Sequence, residues 1–314
     1  MYKRKTLTIL IFLAIFIVFP FTFNVEAESS TNLVEVSLST NKGFTEYEIN
    51  GEDINGQFRS LLEFPLDVEL ININYEKKLE QDIFNIKMIK LSLSKNINEN
   101  AGTFKDSDWI ESTGIHIKDL IGTSPTKVKD LSQWNIMLQS QWEEIYNDTY
   151  YSLHLGYRYD FYQLLSYNLT QTSLTNNFWA PEGTSIYIEG NNIEYEAIYN
   201  IPYLGINFKY DKITKLLIEG SISYSPISKI RDRDHHIHRN LVVKGEGEGH
   251  TYILKSKISY MLADNWGINI KLNYDYSELE GTQDQYHTAG VVEGINYKAR
   301  QKNTSFKIGI NKKF

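Results

Sequence analysis

A period-two alternation recurs through this chain, while helical periodicity is missing over any useful length. Trp134, Ile136, Leu138, Ser140 and Trp142 share one face of an extended segment, against Asn135, Met137, Gln139 and Gln141. Tyr151, Leu153, Leu155, Tyr157, Tyr159 and Phe161 alternate with Ser152, His154, Gly156, Arg158 and Asp160. Leu216, Ile218, Ile222 and Tyr224 stand against Glu219, Ser221 and Ser223, and Trp266, Ile268, Ile270, Leu272, Tyr274 and Tyr276 against Gly267, Asn269, Lys271, Asn273 and Asp275. Runs of about ten residues with aromatic ends suit tilted strands crossing about 25 Å of hydrocarbon between two aromatic girdles. A water-soluble sandwich uses the same pattern with its apolar face inward. Long polar side chains on the second face favour a barrel lumen instead.

The alternation predicts an all-β chain, an antiparallel transmembrane β-barrel of about ten strands. They are placed near 33–50, 58–75, 82–98, 130–146, 149–166, 186–210, 213–230, 240–262, 265–281 and 290–314. Short turns such as Asn147-Asp148 and Ala263-Asp264-Asn265 are expected at one end, facing the periplasm. Longer connections, at 51–57, 99–129, 167–185, 231–239 and 282–289, are expected to face outward. The last strand carries Phe306, Ile308, Ile310 and the terminal Phe314 on one face, and resembles the assembly signal of bacterial outer-membrane barrels.

Residues 1–27 read as a signal peptide. Lys3, Arg4 and Lys5 precede an apolar run from Leu7 to Phe23, and Val25-Glu26-Ala27 sets small residues where a signal peptidase reads. A retained anchor helix is the alternative, and the run is short for a full span of about 20 residues. Residues 28–314 then form a single barrel domain. Removing Lys3, Arg4, Lys5 and Glu26 turns 32 basic and 39 acidic residues into 29 and 38, so the net charge moves from −7 to −9. An acidic exported chain argues against nucleic acid and for cationic partners. No cysteine is present, which removes disulfides and a thiolate nucleophile.

Two segments concentrate titratable groups: Lys105-Asp106-Ser107-Asp108-Trp109, and Arg231-Asp232-Arg233-Asp234-His235-His236-Ile237-His238-Arg239. If strand geometry continues through them, Asp106 and Asp108 point one way, as do Asp232, Asp234 and His236. Carboxylate pairs and an imidazole then face one another across the barrel mouth. That set suits general-base activation of water, because a carboxylate beside an imidazole orients the ring and raises its basicity. Two other readings stand beside it. His235, His236 and His238 with Asp234 could ligate zinc, and a passive barrel, an adhesin or narrow pore, needs no chemistry from these loops.

At these residues the sequence resembles the omptin family of outer-membrane aspartyl proteases. Asp106-Ser107-Asp108-Trp109 is similar to the family's Asp-x-Asp-Trp segment, and Asp232-x-Asp234-x-His236 to its second acidic-histidine segment. Tyr195 through Ile201-Pro202-Tyr203-Leu204-Gly205 resembles its Tyr…Pro-Tyr-x-Gly strand. The resemblance implies an endopeptidase cleaving peptides at or beside Lys or Arg, without a cofactor or an acyl-enzyme. His236 is then the general base, oriented by Asp234, with Asp106 and Asp108 opposite and the attacking water between Asp106 and His236. Asp232 and a first-strand glutamate, Glu46 or alternatively Glu48, are implied to hold the basic substrate side chain. Outer-membrane lipid is an implied partner. Lipopolysaccharide dependence stays open, because Tyr159, Phe161 and Ile198 stand where the family carries charged residues.

Overall fold

The computed structural model describes residues 32–53, 56–83, 85–112, 115–176, 180–288 and 290–314. The expected signal peptide lies outside the described residues. Among the described residues, thirteen strands form one antiparallel sheet: β1 (Asn32–Asp53), β2 (Gly56–Pro65), β3 (Val68–Ile83), β4 (Ile86–Asn96), β5 (Asn100–Ser112), β6 (Ile115–Ser140), β7 (Glu143–Tyr146), β8 (Thr149–Ser173), β9 (Ser185–Tyr210), β10 (Leu216–His236), β11 (Leu241–Ala263), β12 (Trp266–His287) and β13 (Gly290–Lys313).

The sheet closes into a ring of ten staves. β1 pairs with β13 from Leu33↔Lys313 to Asn50↔Asn296, and β6 pairs with β8. Near the termini β1 pairs with β3, from Asn32↔Lys77 to Asn41↔Val68; farther along it pairs with β2, from Phe44↔Pro65. β2 and β3 are therefore one stave bent at residues 66–67, where the Leu66 amide donates to the Gly43 carbonyl at 2.8 Å. β4 and β5 make another, broken at 97–99. β7 is a short hairpin arm on the start of β8.

Both ends of the barrel segment meet: the Phe314 amide donates to the Asn32 carbonyl at 2.9 Å. The tight turns sit at this terminal end. Asn147 and Asp148 both take positive φ, 38° and 64°, the conformation a two-residue hairpin needs.

The terminal half of the wall is apolar outside and polar inside. Leu38, Leu155, Leu204, Ile222, Leu272 and Ile310 stand on the outer surface, Leu204 being 61% exposed. Ser37, Asn72, Gln139, Ser152 and Asn269 are buried inside, where Lys257–Glu219 and Arg158–Asp275 pair at 3.1 and 2.8 Å. Such an inversion of a soluble protein's layers is what a bilayer-facing wall requires. A lumen cavity of about 180 Å³, lined in part by Lys90, Lys255, Lys257 and Lys307, lies in this half.

In the other half the contents reverse. Tyr47, Phe64, Phe104, Leu164, Tyr195, Tyr199 and Tyr297 are buried inside the ring. Outside, charges pair: Arg231 with Glu246 at 3.1 Å and Lys298 with Glu278 at 2.8 Å. The strands run on through segments expected as connections. Residues 100–112 and 115–129 are strand, and β10 continues to His236. The expected loops at 99–129 and 231–239 are thus largely wall, standing beyond the apolar belt.

Candidate active site

Strand continuation is what brings the titratable residues together. On β5, Phe104, Asp106 and Asp108 face inward, while Lys105 turns out to Glu63 at 3.0 Å. Trp109 stacks outside, with the Arg59 guanidinium 4.4 Å and the Lys118 ammonium 4.8 Å from its ring centroid. On β10, Asp232, Asp234 and His236 are buried, and Arg231 and Arg233, at the alternate positions, are exposed.

Asp234 and His236 form a pair, with Asp234 Oδ2 3.0 Å from His236 Nε2. The same oxygen accepts the Tyr47 hydroxyl. His236 Nδ1 meets Nη2 of Arg239, from the 3₁₀ turn Ile237–Arg239. A guanidinium only donates, so Nδ1 accepts and Nε2 carries its proton toward Asp234. Oδ1 of Asp234 and Oδ1 of Asp106 are buried without a hydrogen-bond partner among the described residues.

Across from this pair, burial pushes the Asp106 carboxyl well above the usual carboxylate range, reinforced by the charges of Asp108 and Asp234 and opposed by Arg239. Burial also raises Asp108, against the Ser60 hydroxyl, Arg239 and His236, which lower it. Two carboxyls coupled in this way titrate as a pair, each holding its proton more firmly while the other is charged. A buried imidazole held by a carboxylate, opposite such a pair, can take a proton from water and keep the resulting hydroxide oriented.

Asp232 sits one inward position farther down β10. Its Oδ2 accepts the hydroxyls of Tyr297 at 2.6 Å and Tyr195 at 3.1 Å. Burial pushes its pKa up to about 7, against these hydroxyls and the Gly245 amide, which favour the anion. Gly245 is required there: a Cβ would lie 2.4 Å from Asp232 Oδ1.

Glu46 is not brought to Asp232. Val36 and Leu38 face out, and β1 keeps its parity, so Glu46 and Glu48 are also on the outer side, where neighbouring side chains leave Glu46 5% exposed. Glu46 pairs with Arg300 at 2.8 Å, and Glu48 with Arg300 at 2.7 Å and Arg59 at 3.0 Å. Between them Tyr47 takes the lumen-facing position and is 2% exposed. It belongs to an aromatic floor: Phe64 stacks on Tyr195 with centroids 4.1 Å apart, and Tyr47 lies 5.8 Å from Tyr297. Tyr47, Tyr297 and Gly245 carry no charge and stand outside the two titratable segments, and Arg239 ends one of them without a role legible from spacing. Parity counted from Val36 and Leu38 was the signal for Tyr47.

His235 lies on the outer face of β10 and His238 on the exposed 3₁₀ turn, so the three histidines do not converge. Among the described residues, no group of three or more His, Cys, Asp or Glu is arranged to hold a metal ion.

The fold matches the solved structure of the outer membrane protease OmpT from Escherichia coli, with a TM-score of 0.75 and 15% identity, over 92% of this chain and 99% of that one. The translocator domain of the autotransporter NalP from Neisseria meningitidis aligns with a TM-score of only 0.33 at 9% identity, over 93% of this chain and 90% of that one. Curated proteins give no match. The model of the Omptin family matches residues 65–314, a stretch containing Asp106, Asp108, Asp232, Asp234 and His236. The chain belongs to the omptin family.

Proposed function

We propose that the chain is an outer-membrane endopeptidase whose His236, paired with Asp234, activates water for attack on a peptide carbonyl. The observation that carries this reading is the convergence of Asp106, Asp108, Asp234 and His236 inside one end of the barrel, with Asp234 and His236 3.0 Å apart. Family membership and the OmpT-like fold support a protease in the outer membrane.

In the proposed step, a water displaces the Arg239 guanidinium from Nδ1 of His236 and gives that nitrogen its proton as its oxygen attacks the carbonyl carbon. Asp234 stabilises the imidazolium through Nε2. The protonated member of the Asp106–Asp108 pair donates toward the developing oxyanion. Collapse of the tetrahedral intermediate returns the imidazolium proton to the leaving amine, and no acyl-enzyme forms. Removing the site's base in such a scheme costs on the order of 10²–10⁴ in rate.

Cleavage at or beside Lys or Arg is supported by Asp232, a carboxyl that becomes an anion as pH rises through about 7. The site end faces the cell exterior in this reading, with residues 1–27 removed on export and lipid, including lipopolysaccharide, around the apolar belt. The filled aromatic floor argues against the narrow-pore version of a passive barrel.

A dibasic fluorogenic peptide tests the proposal. Refolded protein in lipid is expected to cleave it and His236→Ala is not. Equal inactivity of both across pH and lipid conditions would refute the protease.

A further inference from the structure

The first strand lies outside the stretch that matches the family, yet it reaches the site through Tyr47. Its hydroxyl donates to Asp234 Oδ2, the oxygen that also faces His236 Nε2. We infer that Tyr47 is a positioning residue for the Asp234–His236 pair, fixing the carboxylate in the orientation that aims the imidazole at water. The inference rests on the proposed protease reading and adds to it a residue that touches neither substrate nor water.

Three observations carry it. First, the ring is held rigidly: Tyr195, Tyr297 and Phe64 pack around it at centroid distances of 6.1, 5.8 and 6.5 Å. A hydroxyl on a ring so held defines a fixed point in space, and the carboxylate must rotate to meet it. Second, Asp234 is anchored through one oxygen alone, since Oδ1 is buried without a partner. Without the Tyr47 hydroxyl, only the His236 contact would restrain the carboxylate, and the pair could turn together. Third, the hydroxyl stays a donor. Burial, then the charges of Asp234, Asp232 and Asp106, hold its proton well above the usual phenol range.

The titratable groups around Tyr47 come from four strands, and Phe64 packs on it from a fifth, β2. Asp232, Asp234 and His236 lie on β10, Asp106 on β5, Tyr195 on β9 and Tyr297 on β13. Arg239 closes the set by bonding His236. A carboxylate relieved of one donor is a better acceptor for the imidazolium, so the pair keeps its proton to higher pH when the hydroxyl is lost. Filling space is the competing role, and the ring alone would serve it.

Tyr47→Phe separates the two, because it keeps the ring and deletes the hydroxyl. It is expected to lower kcat by roughly tenfold with KM changed less than about twofold, and to move the acid limb of the kcat/KM profile upward by about half a pH unit. Tyr47→Met, which fills the space flexibly, is expected to show the same limb shift and so gives an independent reading should the phenylalanine variant refold poorly. Wild-type kcat and an unmoved limb in either folded variant would overturn the inference while leaving the protease standing. His236→Ala run alongside distinguishes the failures: if it cleaves like wild type, or if wild type is inert, the pair itself is wrong and the role given to Tyr47 falls with it.

Discussion

The two halves of the barrel wall follow one strand alternation with opposite contents. In the terminal half, Leu155 and Ile310 face out while Ser152 and Asn311 face in; in the site half, Arg231 and Lys298 face out while Tyr195 and Tyr297 face in. The same strands pass through both. What changes is the solvent outside them, and the side chains follow it. A hydrocarbon surround demands apolar exteriors and tolerates a polar, ion-paired lumen. Beyond the belt, water outside allows charged exteriors, and the interior becomes an ordinary apolar core, on which a few buried polar groups acquire perturbed proton affinities.

Each half buries a histidine, and comparing them gives the largest expected effect. His236 pairs with Asp234, whereas His154 hydrogen-bonds the Ser223 hydroxyl, at 2.8 Å, and meets the Tyr203 ring edge-on in the polar lumen. His236→Ala is expected to cut peptide cleavage by about 10²–10⁴-fold, and His154→Ala to leave kcat/KM unchanged while lowering stability. Matched kinetics of the two variants would show that the halves do not divide the labour this way. The outer faces give the next effect. Leu155→Arg, 58% exposed on the belt, is expected to cost about 2–4 kcal/mol of folding into vesicles, and Arg231→Leu on the site half within about 0.5 kcal/mol. Urea titrations in lipid read both.

The same contrast explains what the sequence disclosed. Stretches such as 266–276 were legible as strands because apolar and polar residues alternate there with full contrast. The contrast vanishes in 231–236: Arg231, Arg233 and His235 point to water, and Asp232, Asp234 and His236 point inward. Charged on both faces, that stretch imitates a loop. That Asp106 and Asp108 share one face, and Asp232, Asp234 and His236 another, was readable from spacing, since period two needs only that the strand continue; the roles given to them came with the family resemblance. Their hydrogen-bond partners were not readable. Tyr47, Tyr297 and Gly245 come from strands far apart in sequence, and only ring closure sets their register.

Asp232 sharpens the comparison through pH. As an acid whose pKa is pushed up to about 7, it is neutral below that value and an anion above it. The ratio of kcat/KM for a Lys or Arg peptide over a neutral isostere is therefore expected to rise roughly tenfold from about pH 6 to about pH 8. Asp232→Asn should flatten that rise. A ratio that ignores pH in the wild type would mean that Asp232 does not meet the substrate side chain.

Glu46 supplies the smallest effect and the test of strand parity. On the outer face its carboxylate pairs with Arg300, and Arg300 keeps Glu48 at 2.7 Å when Glu46 is neutralised. Glu46→Gln is thus expected to leave the Lys/Arg ratio, and its pH dependence, as in wild type. A carboxylate in the substrate pocket behaves otherwise, since its loss would weaken basic substrates selectively. If Glu46→Gln reproduces the effect of Asp232→Asn on the Lys/Arg ratio, the first strand must present Glu46 inward, Tyr47 must leave Asp234, and the division between a charged exterior and an aromatic floor fails at the site itself.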